Sequence, residues 1–428
     1  MRISRSSRVA TVANLSREGF ASIAQVLMVP LFIASFGQFG YVTWLTINSY
    51  TAFILMSDFG ILIVATVFLT NSVRSTDTFA IDIWEKCKAL TLKLSITIAF
   101  SLFVLYWGIN FLFKHNISDA KTSLLVFVFL AILSILAVWQ HTILSTFQIF
   151  DRYGQGMTLL AVIRIVEVCL VFILLTFKCQ IITLSFAYLI IRSFLTFSLW
   201  QKQRKLENFS KRKLVRAPEG TFRALLPPSI GVAALNFASM LGIHGSFLVS
   251  TLWLKPGDLI AIAIARMISS PIRLMTTALL IGTFPDFISH NSVTLDDVSV
   301  VQIERVRSNL RITFITIILT ASTTLILVSH FIWNFLSRKS LEFPIWLVTL
   351  FIIATILDAV IGFVAQEYIS KNLAHKIGYI YLVITLFFLA LQRPLGLVYH
   401  LQAVPVIIIL TDVVTLALLP ILKSKRKD

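Results

Sequence analysis

Runs of about 20 predominantly apolar residues recur along the whole chain and constrain its fold more than any other feature. A transmembrane helix needs about 20 such residues to cross the hydrocarbon core, whereas barrel strands are shorter and alternate in polarity. The pattern therefore predicts an all-α polytopic membrane protein with about 12 spans. The predicted spans cover residues 14–36, 41–66, 88–113, 122–147, 157–177, 182–201, 225–253, 259–284, 309–336, 343–368, 375–392 and 398–422.

Composition and charge agree with a chain that lies almost entirely in a bilayer. Of 428 residues, 57% are hydrophobic and 13% are charged, which leaves little polar surface for a soluble domain. Lys and Arg concentrate in segments 2–8, 202–223, 305–311 and 423–427, which share one side if the number of spans is even. The positive-inside bias then places both termini in the cytoplasm. Such short flanking segments do not form a nucleic-acid-binding module.

Motifs of other protein classes are absent from the sequence. The N-terminus is basic but lacks an apolar core ending in a small-residue cleavage site, so we expect the first span to be retained. Cys87, Cys169 and Cys179 have neither paired nor metal-ligand spacing,. The patterns GxxxxGK(S/T), HExxH and GxSxG are also missing. We therefore expect no metal, no cofactor, no catalytic residues and no ATP-driven pump within this chain.

The longest hydrophilic stretch, residues 201–223, divides the spans into two sets of six. Because six is even, both sets enter the membrane from the same side, as parallel repeats do. Each set opens with a long span and a turn containing glycine, FGQFGY or LKPGDL, although coincidence would explain so loose a likeness equally well. The predicted division is an N-terminal lobe of residues 1–205, a basic cytoplasmic linker of residues 206–221 and a C-terminal lobe of residues 222–428.

The segment VPLFIASFGQFGYVTWLTINSYTAFILMSDFGI, residues 29–61, resembles the opening of a known transporter family. The features that carry the resemblance are Pro30, Gly37, Gly40, Tyr41, Trp44, Asp58, Phe59 and Gly60. With these residues the chain resembles the Wzx-type O-antigen and exopolysaccharide flippases of the superfamily that also holds the multidrug and toxic-compound extruders. It differs from many of them in that the first basic residue after the Asp-x-Gly step is Arg74.

The resemblance implies two six-helix lobes around a central cavity that opens to one side of the membrane at a time. It implies a lipid-linked oligosaccharide as substrate, carried on undecaprenyl pyrophosphate from the cytoplasmic to the periplasmic leaflet of a bacterial inner membrane. It also implies coupling to protons or sodium, and a polysaccharide polymerase and a chain-length protein as partners.

Span 8 contains ARMISSPIR and so carries Arg266 and Arg273 within an apolar run. Their seven-residue spacing returns them to nearly the same helix face, about 10 Å apart along the axis. A central Arg opposes insertion by about 2.5–3.5 kcal/mol, so such residues rarely face lipid. We expect both to line the cavity and bind the pyrophosphate, since a planar guanidinium binds phosphate oxygens in pairs. Pro271 between them would kink or loosen the helix.

The alternative for this pair is structural. Arg266 could reach the outer headgroups along its apolar stem, and Arg273 could pair with an acid on a neighbouring helix.

Two further cations are predicted to bind the substrate. Arg192 lies near the middle of span 6, which favours the cavity. Arg17 lies in the first turns of span 1, where it could either meet the substrate at the cytoplasmic mouth or snorkel to the interface,. Arg164 and Glu167 are three residues apart in span 5, and this spacing indicates a local pair instead,.

Three acids lie deep in predicted spans: Asp58, Asp358 and Asp412. Each could bind a coupling proton or cation, or serve as counter-ion to a cavity arginine. The histidines, including His141 and His244, show no ligand spacing, and we assign them no chemistry.

Two other functions fit the same hydropathy. A multidrug or cation extruder would share the architecture, but such extruders favour acidic cavities, whereas the deep charges here include arginines. A membrane polysaccharide polymerase or ligase would carry a sizeable external loop, whereas the longest predicted external loop is only about KHNISDAK, residues 114–121. The sequence therefore favours an anionic substrate and a non-enzymatic transporter.

Overall fold

The computed structural model describes residues 5–58, 60–76, 78–113, 120–150, 152–209, 213–215, 218, 220–291, 297–337, 342–370 and 373–424. Its α-helices and strands are α1 (Arg5–Ala52), α2 (Ile61–Thr76), β1 (Thr78–Ala80), α3 (Ile81–Phe113), α4 (Ala120–Ile149), α5 (Tyr153–Thr176), α6 (Ile181–Phe209), β2 (Lys213–Val215), α7 (Thr221–Met240), α8 (Ser246–Ser250), α9 (Pro256–Asn291), α10 (Asp297–Leu336), α11 (Ile345–Ser370), α12 (Ala374–Tyr399) and α13 (Ala403–Ser424). Short 3-10 turns cover Phe53–Met56 and His400–Gln402, and a π-helical turn covers Leu241–Gly245.

Ten helical stretches of the described chain are long and apolar enough to cross a membrane. Eight of them are 22 to 30 residues long, but Val9–Thr70 has 62 residues and Ala374–Leu419 has 46. About 20 residues suffice for one crossing, and both long stretches contain non-helical backbone, at Gly37 (φ 71°, ψ 175°) and at His400 (φ 47°, ψ −126°). Each long stretch therefore holds two crossings, and the predicted all-α polytopic fold is confirmed.

Many hydroxyl side chains inside the spans are accommodated by their own helices. In a hydrocarbon environment each hydroxyl needs an internal partner. The hydroxyl of Thr66 donates to the carbonyl of Leu62 at 2.6 Å, and that of Thr276 donates to the carbonyl of Ile272 at 2.9 Å. Such backbone contacts within one turn explain why threonine and serine do not interrupt these apolar runs.

The predicted spans 375–392 and 398–422 imply a turn between them at RPLG, residues 393–396, and this prediction is wrong. Helix α12 continues through Pro394 to Tyr399, and the chain turns at His400 instead. A proline is tolerated within a membrane helix because neighbouring groups satisfy the freed backbone. Gly396 permits close packing rather than a turn, because a Cβ atom there would lie 2.5 Å from Cε2 of Trp253. The predicted span 41–66 is also interrupted, by the 3-10 turn Phe53–Met56.

The helices pack as two sets that follow the order of the chain. In the first set α1 packs against α5 and α4 packs against α6, and in the second set α7 packs against α12 and α9 against α11. The sets meet where α1 contacts α9 and α2 contacts α7. The largest apolar cluster spans the first of these contacts, with Val29 and Phe32 of α1 buried together with Ile264 and Ile268 of α9.

A two-stranded parallel sheet joins the segment after α2 to the basic linker. Strand β1 pairs with β2 in the register Thr78 with Lys213, Phe79 with Leu214 and Ala80 with Val215. The linker predicted at residues 206–221 is therefore partly structured, since α6 also continues to Phe209.

Candidate functional site

A cavity of about 230 Å³ lies among α1, the π-helical turn and helices α7, α9, α11, α12 and α13. Arg266 and Arg273 of α9 line it together with Asp358 of α11 and Asp412 of α13. The structure thus brings together two of the four predicted cations and two of the three predicted acids. His244, on the π-helical turn, lines the same cavity.

The two arginines share one face of α9 because the helix is continuous through Pro271. Both side chains are half-buried. Among the described residues, no carboxylate lies within 4 Å of either guanidinium, and no side chain hydrogen-bonds to them. Arg266 lies over the ring of Phe247, with Cζ 5.9 Å from the ring centroid. Within the described chain, Arg273 therefore makes no contact ion pair, but it lies within electrostatic reach of Asp358 of α11, an acid on a neighbouring helix of the kind that the structural alternative requires.

The two carboxylates are held by hydroxyl groups. Ser239 Oγ donates to Asp358 Oδ1 at 3.3 Å, and Tyr381 Oη donates to Asp412 Oδ1 at 3.0 Å. Asp412 is 1% exposed, and its Oδ2 atom has no hydrogen-bond partner among the described residues. A buried carboxylate oxygen without a partner is unfavourable. This oxygen is therefore chemically suited to take a proton or a small cation.

Arg192 is not among the described residues that line the cavity, and the structure places it in an ion-pair cluster of the first set of helices. Its Nε atom lies 2.6 Å from Glu167 Oε1 and its Nη2 atom lies 3.0 Å from Oε2. Arg164 contacts the same carboxylate at 3.4 Å, and Tyr188 Oη donates to it at 3.2 Å. Glu167 is 1% exposed. The predicted Arg164–Glu167 pair is thus present, but Arg192 makes the shorter contacts and its charge is compensated there.

Arg17 is also outside the set of described residues that line the cavity. Its Nε atom donates to Glu18 Oε1 at 2.8 Å, and the Arg17 side chain is 18% exposed. Because the acid is the next residue of α1, the pair forms within one turn. Arg17 lies within electrostatic reach of His141 of α4, so it belongs with the first set of helices.

Asp58 forms a backbone turn and is not among the described cavity-lining residues. Its Oδ1 atom accepts the backbone N–H of Gly60 at 3.3 Å, which is the geometry of an Asx turn,. Gly60 has a positive φ of 66°, and a Cβ atom there would lie 2.5 Å from Cβ of Val232. The Asp-x-Gly step of the resemblance is therefore a corner that lets α2 begin in close contact with α7.

Sequence reasoning missed several polar residues of the cavity. His244, Tyr381 and Ser239 line it, and His244 Nδ1 lies 3.4 Å from Ser49 Oγ of α1. One available signal was the stretch LGIHGS, where a histidine stands between two glycines inside an apolar span. A π-helical turn at this place is informative because such turns are frequent at functional sites.

Sequence comparisons match the chain to no protein-family model and to no curated protein. Solved structures do match it along nearly its whole length. The MATE multidrug transporter DinF-BH, solved as a complex, has a TM-score of 0.67 at 13% identity, over 98% of this chain and 95% of that one. A multidrug resistance MATE family transporter of the MOP superfamily in an outward-facing conformation has a TM-score of 0.66 at 11% identity, over 100% of both chains.

A third structure is a MOP superfamily transporter from Pyrococcus furiosus, described as having a binding pocket of reverse polarity that suggests a different function. Its TM-score is 0.61 at 11% identity, over 100% of both chains. At these identities the likeness shows the fold alone. The chain is a polytopic all-α membrane protein, and its fold is that of the MATE-type transporters of the MOP superfamily.

Proposed function

We propose that the protein is a flippase that moves an undecaprenyl-pyrophosphate-linked oligosaccharide, an O-antigen or exopolysaccharide repeat unit, across a bacterial inner membrane. The observation that carries this proposal is the placement of Arg266 and Arg273 in one cavity without an acid within 4 Å among the described residues. A guanidinium inside a membrane span is unfavourable unless an anion compensates it, and Asp358, which lies within electrostatic reach of Arg273, makes no contact ion pair with it. A lipid-linked pyrophosphate supplies that anion.

The spacing of the two arginines suits transport as well as binding. They lie about 10 Å apart along the axis of α9, so the pyrophosphate can contact one guanidinium and then the other at a different membrane depth. In this proposal residues 1–205 and 222–428 move as two lobes, joined by the linker 206–221, and open the cavity to each leaflet in turn. Both termini are cytoplasmic, as the Lys and Arg distribution predicts.

Asp358 and Asp412 are the residues that we propose for ion coupling. They lie in the same cavity as the arginines, and Asp412 retains an oxygen without a partner among the described residues. A proton or sodium ion on this pair reduces its negative charge and so changes the affinity of the cavity for an anion. Asp58, which holds a backbone turn, has no part in this coupling.

A multidrug or cation extruder is the second candidate, and two observations favour it. The structural neighbours include transporters described as multidrug transporters, and the cavity contains two acids beside its two arginines. Our preference for an anionic lipid depends on the arginines, because Asp358 and Asp412 have hydroxyl donors whereas the guanidinium groups have no such partners among the described residues.

Binding of undecaprenyl pyrophosphate to the purified full-length protein tests the proposal. Removing one charge-assisted contact costs about 1.5–3 kcal/mol, so Arg266→Gln or Arg273→Gln should weaken binding by about 10- to 150-fold. Lys at either position should restore part of the affinity, because it keeps the charge but not the paired geometry. Lys255→Gln is the matched control, since Lys255 precedes α9 and is exposed.

Two outcomes would overturn the proposal in favour of the extruder. The first is wild-type affinity for the pyrophosphate lipid in the double Gln variant at a normal protein level. The second is a wild-type protein that binds lipophilic cations but not the pyrophosphate lipid.

A further inference from the structure

A second and larger cavity runs beside the charged one. It has a volume of about 1150 Å³, which exceeds the ~300–1,000 Å³ of ordinary small-molecule pockets. Its walls come from α1 and α3 on one side and from α7, α8 and α12 on the other, so it lies between the two sets of helices. Its lining is mainly apolar and includes Leu102, Phe237 and Leu248. We call it the apolar groove.

The groove and the charged cavity share a wall that is one helix thick. On α1, Leu45 and Ser49 face the cavity, whereas Thr46 and Tyr50 face the groove. The same alternation recurs across the π-helical turn Leu241–Gly245, whose end residues line the groove and whose middle residues line the cavity. A ligand could therefore occupy both spaces by passing between these two segments.

Among the described residues, one side-chain hydrogen bond spans this passage, which we call the seam. His244 Nδ1 and Ser49 Oγ are 3.4 Å apart across it. The backbone beside His244 is open, because a Cβ atom on Gly242 would have no heavy atom within 4 Å. The hydrogen bond is long for a polar contact. This hydrogen bond therefore contributes little to holding the seam closed.

An amphipathic anion creates a physical problem that this arrangement solves. When its pyrophosphate enters a cavity walled by helices, its hydrocarbon chain must either enter the same polar space or cross the wall into apolar surroundings. A 230 Å³ cavity lined by two arginines and two acids cannot take a long chain. Lipid tails are as apolar as the groove, so moving the chain from bilayer to groove has little cost.

We propose that the apolar groove holds the polyprenyl chain of the substrate while the pyrophosphate lies in the charged cavity, and that the chain crosses at the seam between Ser49 and His244. This inference rests on the proposed function. It adds a binding site for the lipid part of the substrate, and it makes chain length a determinant of affinity.

Two probes distinguish the contribution of the hydrocarbon chain to the binding affinity from that of the pyrophosphate headgroup. They are undecaprenyl pyrophosphate and a ten-carbon isoprenyl pyrophosphate, and the binding of each to the full-length protein is measured in lipid nanodiscs. The wild-type protein should bind the long probe more tightly. Leu102→Trp fills the groove, so it should weaken binding of the long probe at least about 10-fold and leave binding of the short probe unchanged. Leu248→Trp fills the groove from the opposite wall and should do the same.

The matched control is Ile96→Trp, because Ile96 is on the same helix as Leu102, is 54% exposed and does not line the groove. It should bind both probes as the wild type does. Arg266→Gln should weaken both probes, because it acts on the shared headgroup. If the wild type binds neither probe, the proposed function itself fails. If it binds both equally, or if both groove variants keep the full preference, the groove holds only bulk lipid and this inference is overturned.

A photolabelling experiment on the wild-type protein tests the same inference without a variant that could misfold. An isoprenyl pyrophosphate with a photoreactive group at the end of its chain should label peptides of α3 or α8 in the wild-type protein. Labelling confined to lipid-facing surfaces away from the groove, such as that of Leu327 on α10, which is 78% exposed, would contradict the proposal.

Discussion

Glu167 binds Arg192 through both carboxylate oxygens, with distances of 2.6 Å from Oε1 to Nε and 3.0 Å from Oε2 to Nη2. This ion pair connects α5 to α6 within the membrane. Arg164 and Tyr188 contact the same carboxylate, so the negative charge of Glu167 compensates the positive charges of two arginines. The cluster stabilises the first set of helices and keeps these cations out of the substrate-binding site that we propose.

Replacing Glu167 with Gln should destabilise the protein, because it leaves two guanidinium groups without their acid. Breaking a buried ion pair costs about 3–5 kcal/mol of the free energy of unfolding. We expect less folded protein in the membrane and a lower unfolding temperature in detergent. Glu85→Gln is the control, since Glu85 is 59% exposed and its 2.6 Å pair with Lys88 is a surface contact, worth at most about 1 kcal/mol. Equal unfolding temperatures of the two variants would show that the cluster is not structural.

Gly60→Ala should also destabilise the protein, and more than Gly37→Ala does. Both glycines have a positive φ, at 66° and 71°, and a side chain is strained in that region,. At Gly60 an added Cβ would also meet Val232 at 2.5 Å and the carbonyl of Ser229 at 2.9 Å, whereas at Gly37 it would meet nothing within 4 Å. We expect about 1–3 kcal/mol of additional loss from overpacking at Gly60. Chemical unfolding of both variants measures it, and a Gly60→Ala variant as stable as the wild type would contradict the close packing of α2 against α7.

Asp412→Asn should uncouple transport from its driving ion. The substitution keeps an acceptor for Tyr381 Oη but removes the ionisable oxygen, so the protein should fold and bind the pyrophosphate lipid. In proteoliposomes we expect transport driven by a proton or sodium gradient to fall to near background. Asp58→Asn is the matched control, because its side-chain carbonyl can still accept the N–H of Gly60. If the Asp58→Asn variant loses coupling and the Asp412→Asn variant keeps it, Asp58 and not Asp412 is the coupling residue.

The predicted topology is tested by labelling single cysteines from the outside of intact cells. A cysteine at Asn116 should react with an impermeant maleimide, and one at Asp428 should react only after the inner face is exposed. Both positions lie outside the described residues, and the expectation comes from the distribution of Lys and Arg. Reaction at 116 only after permeabilisation would contradict the 12-span topology.

The sequence predicts those features of the fold that depend on local periodicity. Apolar runs identify most of the spans, and the spacing of Arg266 and Arg273 places them on one helix face because the helical repeat is a local property. Both arginines line one cavity in the structure. The acids Asp358 and Asp412 join them there, but their common location depends on how α9, α11 and α13 pack.

Features set by packing between distant segments were not predictable in this way. Arg192 and Glu167 are 25 residues apart on different helices, and a sequence gives no measure of their separation in space. Pro394 within RPLG predicted a turn, but contact of Gly396 with Trp253 explains the glycine without one. His244 had no ligand spacing, since its partner Ser49 comes from α1, in the other set of helices.

The short sheet between β1 and β2 has a consequence for biosynthesis. Both strands belong to the first 215 residues, so they can pair before α7 has left the ribosome. Only residues 216–220 then separate Val215 from the start of α7 at Thr221, a reach of about 20 Å when fully extended. The sheet thereby tethers the first helix of the second half close to the start of α3. If the strands pair at that stage, the second half of the molecule is inserted from a position that the first half has already determined.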